Sequence, residues 1–418
     1  MTTPQQLARR PRINADLSRI IRGQVHRPGD DAYDTQRASL DPAFDARPVV
    51  IAEVTGPTDV QAAVTWARDQ GLPLAVQSTG HGTYVPSDGG LLLKTSRMAG
   101  VLVDPDRRIA RVGAGAVWGD VLAAAAPFGL APVSGSSATV GVAGFTLGGG
   151  HGALSRKYGL GADNLLRMTL VTADGELVTA TADRNPELFW AVRGGGGNFG
   201  VTTSLEIQLH PVEEVYAGQA LFPIAGAAEL LARYRDYVPA MPEELTCSVA
   251  LVGEHVAIRA TYAGDAEAGQ KALRPLWQGT PVQDTFAEVA VPQASVPGTA
   301  PRNFDLSTSL SDELIDTIAD IAGEANGIEI RYWGGAIARG TSPAGHRHVP
   351  FSIVVDGPQS AAERLWPYTT GGSFPTSLHD PHAVETAYTA ADYQRLREIK
   401  AIYDPANVFH RTMNIKPA

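Results

Sequence analysis

Six of the twelve residues from Gly141 to Gly152 are glycine, in the run Gly141-Val142-Ala143-Gly144-Phe145-Thr146-Leu147-Gly148-Gly149-Gly150-His151-Gly152. That density rules out a regular helix or the interior of a long strand. Glycine is used so heavily where the backbone takes positive φ or lies close against another body. Well upstream, Gln77-Ser78-Thr79-Gly80-His81-Gly82-Thr83 forms a second polar loop, with a histidine between two glycines. Two such loops point to a large anionic cofactor gripped by backbone N–H groups.

The rest of the chain must supply a scaffold for these loops. At 418 residues it is long enough for two or three domains with substantial cores. Hydrophobic residues make up 44% and charged residues 19%, an ordinary globular balance. The formal charge of −10, with acidic residues scattered, argues against nucleic acid or an anionic membrane as partner. Cys247 is the one cysteine, so an intrachain disulfide and a multi-cysteine metal site are excluded, and no metal is expected. The N-terminus carries Arg9, Arg10 and Arg12 with no apolar segment after them, and no stretch is long and apolar enough to span a membrane. The expected location is the cytoplasm, and the expected state a monomer or homodimer.

Periodicity predicts the elements. Residues 1–45 read as an irregular lead-in, and Pro48–Val54 as a buried strand. Pro57 opens a helix that Gly71 ends, with Thr58 and Gln61 placed as a capping box. Leu74–Val76 is a strand feeding the His81 loop. Val101–Val103 and Ile109–Val112 form a hairpin, and a helix follows over 117–125. Asp174-Gly175 turns a second hairpin between 165–172 and 176–182. A helix over Asn185–Val192 and a strand over Val201–Leu209 complete this half. After His210-Pro211, strands at 215–222, 247–252, 255–262, 328–333 and 350–355 alternate with helices at 228–237, 267–277 and 312–322. Such a pattern builds helices on one antiparallel sheet. Residues 371–390 read as a polar connection, and the final helix, 391–402, stops ahead of Pro405.

Gly195-Gly196-Gly197-Asn198-Phe199-Gly200 matches G-x-G-x-x-G, but a helix precedes it and a strand follows, the reverse of a dinucleotide fold. It reads instead as a tight glycine turn. Together with the two loops, the Asp163-Asn164 turn and the closing Tyr403-Asp404-Pro405-Ala406-Asn407-Val408-Phe409-His410-Arg411-Thr412-Met413-Asn414-Ile415, it resembles the vanillyl-alcohol-oxidase superfamily. More narrowly, the chain looks like the berberine-bridge-enzyme and 6-hydroxynicotine-oxidase branch. The resemblance covers about residues 40–210 and 385–418.

That resemblance implies an α+β fold. A split PCMH-type FAD-binding domain, 1–208 and 385–418, would carry a substrate-binding domain, 209–384, built of an antiparallel sheet covered by helices. It implies FAD contacts from Gln77, Ser78, Thr79, Gly80, His81 and Gly82 in the first loop. In the second it implies Thr139, Val140, Gly141, Gly144, Gly149, Gly150, His151 and Gly152. Asn164, Val201 and Asn414 complete the set. His81 would be joined covalently to the flavin 8α-methyl. Relatives with a second tether place a cysteine just ahead of the Val-Gly run, where this chain has Ser137, so a single tether is implied. Gln77 stands where an arginine is common. His151 has two readings, facing the flavin or filling its loop.

One departure bears on the chemistry. Many relatives carry a tyrosine base ahead of the final helix, and Gly371–Asp380 contains none. Tyr332, beside Gly334-Gly335, and His379, in the loop that replaces the tyrosine, are the candidate proton acceptors. The implied activity is FAD-dependent oxidation of a small-molecule alcohol, amine or specialised metabolite with dioxygen as acceptor. A dehydrogenase or oxidative cyclase, and a non-catalytic flavoprotein that sequesters a small molecule, remain as rivals.

Overall fold

A computed structural model describes residues 16–294, 296 and 298–418. The stretch with Arg9, Arg10 and Arg12 lies outside them. The fold is α+β, as the pattern predicts. The N-terminal lead-in is more ordered than expected over its described part. Gln24–His26 pairs antiparallel with Val50–Glu53, and Leu17 and Tyr33 are buried.

Two sheets build the first half. One has the order Gln24–His26, Val50–Glu53, Leu91–Lys94, Leu74–Gln77, with the last three strands parallel. The other has the order Val101–Asp104, Ile109–Gly113, Val201–Gln208, Leu165–Val171, Leu177–Ala180, all antiparallel, and contains both expected hairpins. The helix Pro57–Gln70 packs Val60, Ala63, Val64 and Ala67 inward and ends at Gly71 with φ 68°. Its start corrects the expected capping box. Gly56 is the cap residue, Pro57 occupies the first turn, and Asp59 accepts bonds from the N–H groups of Thr55, Arg22 and Gly23. Asp59 thereby ties the N-terminal segment to the helix. Within the glycine-rich stretch, Val142–Leu147 forms a short helix, because the flanking glycines confine the irregular backbone to its two ends.

The second half is one eight-stranded sheet. Its order is Gln283–Asp284, Glu214–Pro223, His255–Tyr262, Leu245–Val252, Gly327–Tyr332, Phe351–Asp356, Asn303–Ser307, with Ala287–Ala290 also on Glu214–Pro223. The strands at 283–284, 287–290 and 303–307 were not anticipated. The helices Ala227–Tyr237, Ala266–Leu273 and Asp312–Ile321 bring apolar residues to one face. On that face lie Leu245, Cys247, Val249, Ile258, Ile328, Ile330 and Ile353. Strand periodicity sends their neighbours, Ser248, Arg259, Glu329 and Arg331, to the other face.

Each half has its own apolar core. The first draws on residues from Leu17 to Leu209 and resumes at Leu378, through Val384, Leu396 and Phe409 to Ile415. The chain therefore returns to the first half at its end, and 371–390 is no mere polar connection, since Phe374 and Leu378 are buried. The return is fixed without a further strand. Asp404 accepts from the N–H groups of Val408 and Phe409 and pairs with Lys400 at 2.5 Å, both side chains fully buried. Lys400 also donates to Asn198 O at 2.7 Å. Asn198 takes Ile415 N–H on its Oδ1 and gives its Nδ2 to Met413 O. The Gly195–Gly200 turn is thus the socket for the chain's last residues.

Candidate active site

The strand Leu74–Gln77 delivers the first glycine-rich loop against the second. His81 Nδ1 lies 2.9 Å from Thr79 Oγ1 and Nε2 3.1 Å from Thr139 Oγ1, which is 3.0 Å from Ser137 Oγ. The loops touch because Gly141 has no side chain, since a Cβ there would stand 3.3 Å from Ser78 Oγ and 3.4 Å from Thr79 Cγ2. Gly80 turns with φ 86°, which leaves His81 and Gly82 exposed. Partial burial holds the His81 imidazole below its ordinary pKa, so its neutral, nucleophilic form prevails at neutral pH. Gln77 is committed inside the protein. It donates to Thr83 Oγ1 and accepts from Lys94 Nζ at 2.6 Å. The cation behind this loop is therefore Lys94, whose pKa burial lowers.

The second loop turns at Gly149 (φ 96°) and Gly150 (φ 71°). A Cβ on Gly149 would stand 2.7 Å from Phe374 Cζ and 2.8 Å from Ala344 Cβ. The loop is thus pressed against the 344 and 374 segments. Gly144 faces open space on the exposed side of the short helix, and Val140 is half-buried beside it. Gly152 N–H is taken up by Ser155 Oγ at 2.9 Å. His151 lies against Trp333, ring centroids 5.0 Å apart. Burial, aided by the Arg331 charge, pushes its pKa down to about 3, so it is neutral. Asn164 is occupied internally, with its Nδ2 on Tyr158 O and Leu160 O and its Oδ1 on His210 Nε2. Val201 is buried where its strand begins.

The candidate bases lie apart. Tyr332 shares the side of Ile328 and Ile330, where its ring meets Phe351 at 5.4 Å under the Arg156 guanidinium. Tyr332 packs toward the helix-covered core, the alternative to a role as base, and Arg331 and Trp333 on either side take the opposite face. His379 lies beside the first loop, its ring 4.5 Å from that of Tyr84 and nearly perpendicular to it. It lines a cleft of about 510 Å³ with Phe304, Asp305, Trp366 and Leu378. Burial lowers the His379 pKa and raises that of Asp305 to about 6.

The residues fit a large polar cofactor. Ser78 Oγ, His151 Nε2 and Asn414 Oδ1, in three segments expected to hold it, are buried polar atoms without a hydrogen-bond partner among the described residues. Other buried polar atoms among the described residues, such as Trp118 Nε1 and Thr246 Oγ1, are also unpaired, so it is the grouping of these three in the expected cofactor segments that fits a polar ligand. Known proteins agree. A model of the FAD binding domain matches residues 48–181, and one described as berberine and berberine like matches 374–416. An FAD-linked oxidoreductase of Dictyostelium discoideum is 30% identical over 434 residues, covering 95% of each chain. This chain belongs to the berberine-like FAD-linked oxidoreductases. The (R)-6-hydroxynicotine oxidase of Paenarthrobacter nicotinovorans is 43% identical over 192 residues, 46% of this chain and 42% of that one. The structure of 6-hydroxy-D-nicotine oxidase from Arthrobacter nicotinovorans superposes with a TM-score of 0.87 at 28% identity, covering 97% of this chain and all of the other. A chitooligosaccharide oxidase, at 22% identity and a TM-score of 0.84 over 96% of this chain and 98% of that one, shares the fold.

Sequence reasoning missed the most polar part of this enzyme's sheet. Glu329 accepts from Arg331 Nε and Nη2, both at 3.0 Å, from Ser248 Oγ at 2.8 Å and from Thr299 N at 3.0 Å. Arg259 Nη1 stands 3.5 Å from Glu329 Oε2, the oxygen that also takes Arg331 Nη2 and Thr299 N. Despite burial, which opposes ionisation, Arg331 foremost, with Ser248 and Arg259, holds the Glu329 carboxyl down to about 2. The signal was present in Ile328-Glu329-Ile330-Arg331, a strict alternation. Alternation also describes a solvated strand face, and only the register of three strands sets Ser248, Arg259 and Glu329 side by side, where they are buried.

Proposed function

We propose that the enzyme is an oxidase of a small-molecule alcohol, amine or specialised metabolite, with FAD joined through His81 alone and dioxygen as electron acceptor. The observation that carries this reading is the junction of the two loops at Thr79, His81 and Thr139, beside the unpartnered Ser78 Oγ. It offers a neutral, exposed imidazole at the mouth of a cofactor cradle. Bound flavin supplies hydride acceptance from a substrate carbon and reoxidation by dioxygen to hydrogen peroxide. The chain's residues bind, orient and move the proton. His379, in the cleft beside the first loop, takes the proton that leaves the substrate heteroatom. Asn414, Ser78 and His151 contact the cofactor. A single tether is supported by Cys247, which is buried on the helix-covered face with its thiol pushed up to about 12 by burial. Residues 1–208 and 385–418 would form the cofactor domain and 209–384 the substrate domain, a division supported by the two separate cores. The names of similar proteins, which include oxidases, also favour oxidase over dehydrogenase chemistry.

The test is direct. Acid-precipitated protein should remain yellow, one peptide containing His81 should carry the FAD mass, and substrate-reduced enzyme should reoxidise in air with formation of peroxide. Release of all flavin into the supernatant refutes the tether. Slow air oxidation beside fast reduction of a quinone acceptor refutes the oxidase.

A further inference from the structure

The face of the eight-stranded sheet turned away from the helices holds two arginines against one glutamate. The side chains of Arg259 and Glu329 are 7% and 5% exposed, and Arg331 is 25% exposed. Glu329 neutralises one guanidinium, so a single positive charge is left over in a largely buried place. The two most buried partners, Arg259 and Glu329, balance each other, so the surplus rests on the partly exposed Arg331, where a ligand can reach it. Arg331 spends Nε and Nη2 on Glu329, and its Nη1 has no partner among the described residues. Arg259 spends Nε on Gln219 and Nη1 on Thr299, and its Nη2 likewise has none. The same face reaches the cofactor half. His151, on the second glycine-rich loop, feels the charges of both Arg331 and Glu329 and keeps a buried Nε2 without a partner. Trp333, whose ring flanks His151, anchors its Nε1–H on Ser352 Oγ, opposite Arg331 in the sheet.

We infer that the substrate carries a carboxylate, which Arg331 and Arg259 bind while Trp333 and His151 flank the adjoining carbon skeleton. This rests on the oxidase reading above and names the substrate class of that site. A guanidinium with free N–H groups recognises planar oxyanions. One surplus positive charge matches a monoanion, which selects a carboxylate over a phosphate dianion. Glu329 acts as a positioning residue: it holds the Arg331 fork in one orientation and sets the net charge at one.

Paired acids and neutral analogues, benzoate with benzamide and glucuronate with glucose, test this on flavin-loaded protein by calorimetry and by perturbation of the flavin spectrum. In at least one pair the acid should bind about ten-fold or more tightly than its neutral partner. Arg331→Met should abolish that preference and leave the neutral analogue unaffected. Arg331→Lys, which keeps charge and bulk, should retain part of it. Glu329→Gln should strengthen binding of the acid. No preference in either pair, or equal weakening of acid and neutral analogue by Arg331→Met, overturns the proposal. So does a preference that survives Arg331→Met while the flavin reduction potential shifts, since the charge would then serve the flavin ring. Failure of the oxidase reading looks different: reduced flavin would reoxidise slowly in air while a quinone acceptor works fast, yet calorimetry would still show an acid preference lost in Arg331→Met.

Discussion

The two glycine-rich loops and the polar face of the eight-stranded sheet, assigned complementary roles in the proposal above, are encoded differently. In the loops the information is in what is missing. Gly141 lets one loop lie on the other, and Gly149 and Gly150 take backbone angles that other residues resist. The loop side chains that matter, Ser78, Thr79, His81 and Thr139, are few and close in sequence to those glycines. On the sheet the information is in side-chain identity at alternate positions of separate strands. Ser248, Arg259, Glu329 and Arg331 acquire meaning only when register sets them side by side. On the proposed reading, a cofactor common to many enzymes is held by backbone shape, and what distinguishes one substrate from another is left to residues that strands can exchange without refolding.

The sharpest way to break this comparison is at the C-terminal return, which belongs to the cofactor half by packing although it is remote in sequence. Asp404→Ala would strand the buried Lys400 charge and free the N–H groups of Val408 and Phe409. Breaking such a pair by removing one partner costs about 3–5 kcal/mol. The variant should lower the urea midpoint strongly and lose flavin, because Asn198 and the backbone on both sides of Asn414 lose their anchor. A midpoint close to wild type would show that the return is held by apolar packing alone.

The same contrast explains what could be read in advance. The hairpin at Asp174-Gly175, the stop at Gly71 and the reversed order around Gly195–Gly200 were legible because each depends on local backbone chemistry. The strand Asn303–Ser307 was not, because as an edge strand it gains its identity from pairing with Phe351–Asp356. The capping box failed because Asp59, one residue past Thr58, finds partners far along the chain at Arg22 and Gly23. Tyr332 was placed on the correct strand. Its side followed from parity with Ile328 and Ile330, and it was the covered face of the sheet that could not be known. The Arg259–Glu329–Arg331 network was invisible for the same reason.

His379, beside the first loop and in a cleft with Phe304 and Asp305, gives the next largest effect. His379→Ala should slow anaerobic flavin reduction by about 100-fold, the lower end for a positioned general base. The imidazole accepts a proton only when neutral, and burial disfavours its cation. In the wild type the rate should therefore fall as pH drops through a pKa on the acid side of the ordinary histidine value, and this limb should vanish in the variant. Rapid-mixing measurements across pH decide it. Unchanged rates would mean that the substrate arrives already deprotonated, and Asp305→Asn would then test the other titratable group in the cleft. A smaller effect is expected at the seam between the loop and the 344 and 374 segments. Gly149→Ala combines a left-handed backbone with overlap on Phe374 and Ala344, costing about 2 kcal/mol. It should appear as a lowered unfolding midpoint and weakened flavin retention, whereas Gly144→Ala, facing open space, should not destabilise through overlap.

The smallest effect separates burial from function at His151, where loop and sheet touch. Its pKa falls from an ordinary 6.5 to about 3 because burial, foremost, and Arg331 disfavour the cation. Between those values the unfolded chain binds a proton that the folded chain refuses. Stability therefore rises with pH across this window and is lost as pH falls from 6.5 toward 3. The slope from one such group is at most about 1.4 kcal/mol per pH unit. His151→Gln removes the titration and keeps a polar side chain of similar size, so its unfolding midpoint should vary less with pH than that of the wild type. The two proteins should diverge only below the ordinary histidine value. Arg331→Met, by removing a neighbouring positive charge, should let His151 protonate more readily and shrink the wild-type slope in the same direction. If neither variant alters the slope, His151 is reached by solvent in solution, and the contact between loop and sheet is looser than the 5.0 Å ring contact with Trp333 implies.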